Sequence, residues 1–126
     1  SLFGIGAELR SVDGYCTISK LMAGGPAAKG KQLGEKDRIV AVAQSNAPPV
    51  DVVEMPLNKV VQLIRGPKGT EVRLTVIPVT DASERRVITI VRDEIKLVDQ
   101  AAKAKVIDLM TLTFSTYDHW PNDLKI

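Results

Sequence analysis

The sequence predicts a small α+β domain, mainly β, and three observations lead there. The chain has 126 residues, enough for one domain with its own core and too few for two of ordinary size. Apolar residues make up 44% but aromatic residues only 4%, so the core must be built from Val, Ile, Leu and Ala, a mix that suits strands and one or two helices. Several runs with the two-residue period of a strand surround one well-marked helix pattern at 57–65.

The first element opens at Gly4-Ile5-Gly6-Ala7, ahead of the strand-like run Glu8-Leu9-Arg10-Ser11-Val12. Two glycines around one branched residue let the backbone turn tightly and aim successive N–H groups at a common point, a concavity suited to an anion such as a carboxylate. If 7–12 is a sheet edge, its unpaired backbone is a template on which an extended peptide can add as a further strand. Gly-x-Gly is also common in ordinary turns, so the motif by itself leaves both readings open. A dinucleotide fingerprint is excluded, because Leu9 stands where its third glycine belongs and only Ser1-Leu2-Phe3 precedes it. Gly66-Pro67-Lys68-Gly69-Thr70 lacks the spacing and the Gly-Lys-Thr ending of a phosphate loop.

Asp13-Gly14 then predicts a hairpin turn, and 15–22 a second strand with Cys16 and Ile18 on its inner face and an irregularity near Lys20, which breaks the alternation. Gly24-Gly25-Pro26 predicts a short helix packed by Ala27 and Ala28. Residues 38–42 read as a strand with Ile39 inward, and Ser45-Asn46-Ala47-Pro48-Pro49 as a loop, since prolines cannot donate to a ladder. Pro56 followed by Leu57, Val60, Val61 and Ile64, with Gly66-Pro67 as a stop, predicts an amphipathic helix of two to three turns. Val60, Leu63 and Ile64 suffice to anchor it, which leaves Leu57 and Val61 to line a groove, although the pattern equally allows all five to be core. Two further strands follow at 71–77 and 86–92, with Val72, Leu74 and Val76 inward, joined by the turn Thr80-Asp81-Ala82-Ser83. Residues 99–109 carry a weak helical pattern, and the run from Met110 to Ile126 follows none.

Composition narrows function. A net charge of +2 with interspersed signs and few aromatics argues against nucleic acid as a partner. The single cysteine, Cys16, excludes an internal disulfide framework and reads as core filler. No run reaches the roughly twenty apolar residues of a membrane span. The only histidine, His119, has Asp118 and Trp120 beside it, far along the chain from any candidate nucleophile, so no catalytic residue, metal site or cofactor is expected in this chain. The start at Ser1-Leu2, without methionine and directly before the glycine motif, reads as a fragment of a longer protein whose targeting signals lie outside it.

In this order the pieces resemble a PDZ domain. Met22-Ala23-Gly24-Gly25-Pro26-Ala27-Ala28-Lys29, Asp37-Arg38-Ile39-Val40-Ala41-Val42, Val50-Asp51-Val52-Val53 and Val61-Gln62-Leu63-Ile64-Arg65-Gly66-Pro67-Lys68-Gly69-Thr70 look like the PDZ region of bacterial tail-specific, or C-terminal processing, proteases. The resemblance implies a partly open barrel of five to six strands with two helices, of the circularly permuted bacterial type, in which 86–92 replaces the usual first strand. It implies a PDZ domain over 3–97, followed by a linker or tail over 98–126. It further implies a periplasmic parent enzyme with a Ser/Lys dyad beyond this chain, whose protease domain is a partner, along with the C-terminal segments of substrate proteins. Membrane proximity is compatible with that setting. The expected peptide-binding residues are Gly4, Ile5, Gly6, Ala7, Glu8 and Leu9, with Leu57 and Val61 as the apolar wall. N–H groups of Ile5, Gly6 and Ala7 would hold the carboxylate, and 8–12 would pair with the peptide backbone. The competing expectation is a structural or regulatory module whose groove is blocked and never binds free ends. Lys36 stands where many PDZ domains carry glycine, and a positive φ there would cost about 1 kcal/mol.

Overall fold

Asp13 and Gly14 turn the chain back between β2 (Ala7–Val12) and β3 (Tyr15–Leu21). Both have positive φ, 52° and 83°, the combination that a tight hairpin with the native strand twist requires. Val12 faces Tyr15, and the register runs evenly to Leu9 opposite Ile18 before Glu8 skips to Lys20. Ser19 is the extra residue of this bulge, and its hydroxyl donates to the Glu8 carbonyl at 3.1 Å. The irregularity predicted near Lys20 is therefore present, and Cys16 and Ile18 face inward as the alternation requires.

The computed structural model describes residues 2–95 and 123–126. Beyond β3, the chain forms α1 (Pro26–Gly30), β4 (Arg38–Gln44), β5 (Val50–Asp51), α2 (Leu57–Ile64), β6 (Glu71–Ile77) and β7 (Arg86–Val91). The main sheet is antiparallel, in the order β7-β6-β4-β3-β2, with β5 added to β4. It does not close into a barrel. A separate ribbon joins β1 (Leu2–Gly4) to β8 (Asp93–Ile95), with Gly4 opposite Asp93. β1, β5 and β8 were not anticipated, because strands of two or three residues are too short for a period to register.

One aliphatic core runs through the molecule. Ile5, Leu9, Ile18, Ile39, Ile64 and Leu74 are among its fully buried side chains, and α2 lies over β4 while α1 lies over β7. In β4 the register slips between Ile39 and Ala41, and the consecutive residues Ile39 and Val40 are both buried. The fold is α+β, mainly β, with two helices, as expected. Lys36 has φ +74°, so the strained conformation anticipated there is present, stabilised next door by Asp37. The buried Asp37 carboxylate accepts the N–H groups of Gly34 at 2.8 Å and Val79 at 2.9 Å, tying two loops together.

Candidate peptide-binding groove

The outer edge of β2 is taken by the last residues of the chain. β9 (Asp123–Lys125) runs antiparallel to it, with Glu8 opposite Lys125, Leu9 opposite Leu124 and Arg10 opposite Asp123. The Ile126 N–H donates to the Ala7 carbonyl at 2.8 Å. In return the Ala7 N–H donates to the Ile126 carbonyl at 2.8 Å, and the Gly6 N–H meets the same oxygen at 2.9 Å. Two amide donors thus converge on one oxygen of the final residue, because Gly6, with φ +78°, swings its peptide unit into line with the next.

The loop is held from behind. Ala27 N–H donates to the Ile5 carbonyl and Met22 N–H to the Gly6 carbonyl, both at 2.9 Å. A Cβ on Gly6 would stand 3.1 Å from the Gly25 Cα, so both glycines serve a close backbone approach. In front, Gly4 leaves room for the chain end. A Cβ there would lie 3.0 Å from the carboxyl carbon of Ile126 and 3.8 Å from Arg65 Cγ.

The Ile126 side chain is fully buried and belongs to the same core as Ile5, Val60 and Val61, while α2 flanks β9 across the groove. Val60, Val61 and Ile64 form the buried stripe of α2, and Leu57 is half-buried against it. Leu63, expected as an anchor, is only half-buried, since it sits to one side of that stripe and Val61 takes the inward position. The bonds to the Ile126 oxygen come from Gly6 and Ala7, whereas Ile5 contributes its buried side chain and its carbonyl. Among the described residues, β9 pairs with Glu8 to Arg10 of β2.

The family model of the PDZ domain matches residues 1–77. The chain belongs to the PDZ family. Its PDZ domain is 43% identical over 103 residues to the tail-specific protease of Haemophilus influenzae, covering 82% of this chain and 15% of that protein. It is 34% identical over 102 residues to a probable CtpA-like serine protease of Staphylococcus haemolyticus, covering 81% and 19% respectively. The chain therefore spans less than a fifth of the length of these relatives. Among solved structures, the PDZ domain of the carboxy-terminal protease of Vibrio cholerae in complex with peptide matches with a TM-score of 0.72 and 53% identity, covering 76% of this chain and 98% of that one. The photosystem II D1 C-terminal processing protease matches in fold, with a TM-score of 0.60 at 24% identity over 77% of this chain and 25% of that one. The PDZ domain is thus of the C-terminal processing protease family.

Arg92 fixes the far end of the groove's helix. Its buried guanidinium donates to the Ile64 carbonyl at 2.7 Å, the Leu63 carbonyl at 3.2 Å, Gln44 Oε1 at 2.6 Å and Thr70 Oγ1 at 2.8 Å. Carbonyls left over at the end of α2 thereby gain a cationic cap, which also suits the helix dipole. Gly66 is required for this approach, since a Cβ there would fall 2.7 Å from Arg92 Cζ. Burial lowers the Arg92 pKa, yet four acceptors hold the charged form. Sequence reading missed this role; its one visible trace is a charged residue ending a strand next to Asp93 and Glu94.

Elsewhere the PDZ domain offers little chemistry. Burial pushes the Cys16 thiol up to about 12, which makes it inert as a nucleophile at neutral pH. Among the described residues, no group of His, Cys, Asp and Glu could hold a metal ion, and no helix is long and apolar enough to cross a membrane. A hollow of about 510 Å³ lies between β3 and the loops at Lys36 and Val79, away from the loop that receives Ile126. His119, its neighbours and the helical pattern at 99–109 lie outside the described residues.

Proposed function

We propose that this PDZ domain binds apolar, free C-termini of proteins by strand addition and serves a C-terminal processing serine protease, presenting those ends to, or gating, a protease domain with a Ser/Lys dyad in the periplasm. One observation carries the reading: the Ile126 oxygen receives the Gly6 and Ala7 N–H groups while its side chain is fully buried in the core cluster that also holds Val61. The strand formed by 123–126 lies where an added peptide strand would lie in this reading. The Vibrio cholerae relative, solved in complex with a peptide, supports the same use. Gly4, Ile5, Gly6 and Ala7 form the end-holding loop in this reading, Glu8 and Leu9 the pairing edge, and Leu57 and Val61 the apolar wall. Alternate residues of an added strand share a face, so the wall favours apolar residues at the last position and two before it.

The test uses the chain carrying Ile126→Asp, whose own end no longer suits the apolar pocket, titrated with a peptide ending in Asp-Leu-Lys-Ile. Amidating that peptide should weaken binding tenfold or more, on the order of 1.5 to 3 kcal/mol for bonds to a charged group. Equal affinity for the two forms would refute capture of a terminal carboxylate.

A second reading is favoured by the occupied groove itself, namely a regulatory module whose own end keeps others out. It requires that the unmodified chain bind no added C-terminal peptide at concentrations where the Ile126→Asp chain does.

A further inference from the structure

We propose that Arg65 is the cationic partner of the bound C-terminal carboxylate and sets the domain's discrimination between charged and neutral chain ends. The inference rests on the strand-addition reading above and adds to it a residue outside the glycine loop.

Arg65 directly follows α2, where its N–H donates to the Val61 carbonyl at 2.9 Å and its backbone turns extended, with φ −72° and ψ 155°. That turn brings its side chain over Gly4. The Cβ position of Gly4 lies 3.8 Å from Arg65 Cγ and 3.0 Å from the carboxyl carbon of Ile126, so the arginine stem and the chain end flank the same bare glycine. The remaining length of the side chain suffices to carry its fork to the carboxylate.

Charge gives the placement its purpose. The Gly6 and Ala7 amides both point at one oxygen, and a terminal carboxylate spreads its negative charge over two. Neutral amides can hold an oxygen without requiring that charge, whereas a guanidinium responds to it directly. Arg65 is half-buried beside Phe3, Gln62, Gly66 and Pro67, along an open hollow of about 390 Å³. Burial there lowers its pKa, which means that its cation lacks part of its hydration and gains from an anion nearby. Partial exposure keeps the effect modest and sensitive to salt.

The experiment measures the ratio of affinities for the free and amidated forms of the Asp-Leu-Lys-Ile peptide on the 126-residue chain, unmodified and with Arg65→Gln or Arg65→Lys. Competition from the chain's own end affects both peptide forms alike and cancels in the ratio. Because Arg65→Gln weakens the chain's own end as well as an added free end, it should lower the ratio of free to amidated affinity about fivefold and flatten the salt dependence of that ratio, while Arg65→Lys restores most of it. If Arg65→Gln leaves the ratio unchanged, the arginine shapes the helix end only and the proposal is wrong. An unmodified chain without any preference for the free form would instead overturn the carboxylate reading on which it rests.

Discussion

At the scale of single residues, the two glycines of the end-holding loop differ in what they require. Gly6 needs its positive φ and its closeness to Gly25, so Gly6→Ala strains the folded loop whether or not a chain end is present, by about 1 kcal/mol from φ alone. Gly4 carries no such φ, and its Cβ would meet only the chain end at close range. Gly4→Ala should therefore weaken C-terminal peptide binding severalfold with Tm lowered far less than in Gly6→Ala. A calorimetric scan beside a peptide titration separates the two. Cys16 makes a second prediction at this scale. Its thiol has a folded pKa of about 12 against an ordinary 9.0, so folding favours the protonated form. The associated stability is fully present below pH 9 and is lost as pH rises towards 12, since the unfolded thiol ionises first. At pH 10.5 the loss is about 2 kcal/mol relative to pH 7. Urea unfolding of Cys16→Val at both values should lack that part of the alkaline loss; an equal loss in both chains would assign it to other groups.

At the scale of elements, α2 is one wall of the groove, and its position is set from both ends. Its stripe of Val60, Val61 and Ile64 buries against the sheet, and its last carbonyls are gripped by Arg92, which Gln44 and Thr70 hold in turn. Gln44 Nε2 also donates to the Leu63 carbonyl at 2.6 Å. Removing the guanidinium leaves the buried Ile64 carbonyl without its donor and breaks the bonds to Gln44 and Thr70, so Arg92→Met should cost about 2 kcal/mol, and Gln44→Ala about 1. The denaturant midpoint reports both losses. Combining the two changes should cost less than their sum, because they share one network.

At the scale of the whole molecule, the groove and the chain end form a tethered pair. Ile95 lies against Gly6, and Asp123 faces Arg10, four strand residues further on, a separation of about 13 Å. The 27 residues from 96 to 122 reach about 90 Å at full extension, so the connection spans that gap with length to spare. Because 123–126 belong to the same molecule as β2, their pairing is intramolecular and does not weaken on dilution. External peptides must compete with it. The Ile126→Asp chain should bind an added C-terminal peptide at least tenfold more tightly than the unmodified chain, and identical apparent affinities would mean that the tethered end does not contest the groove in solution.

Legibility followed the length scale of the interactions. The hairpin at Asp13-Gly14, the helix after Pro56, the alternation of Val72, Leu74 and Val76, and the glycine loop were all readable, because φ preferences and side-chain periods are local properties of the residues that carry them. The same locality made the PDZ resemblance readable from motif order alone. Tertiary structure decided the rest. That the final residues add to β2 could not be read from their side chains, since strand addition is made by backbone groups that every sequence possesses. Which face of α2 turns inward, and hence the exchange of Leu63 for Val61, depended on the sheet it meets. The convergence of Gly4, Arg65 and Ile126, far apart in the chain, and of Arg92 on the end of α2, exists only once folding brings their elements together, because charge and contact act through space and not along the sequence.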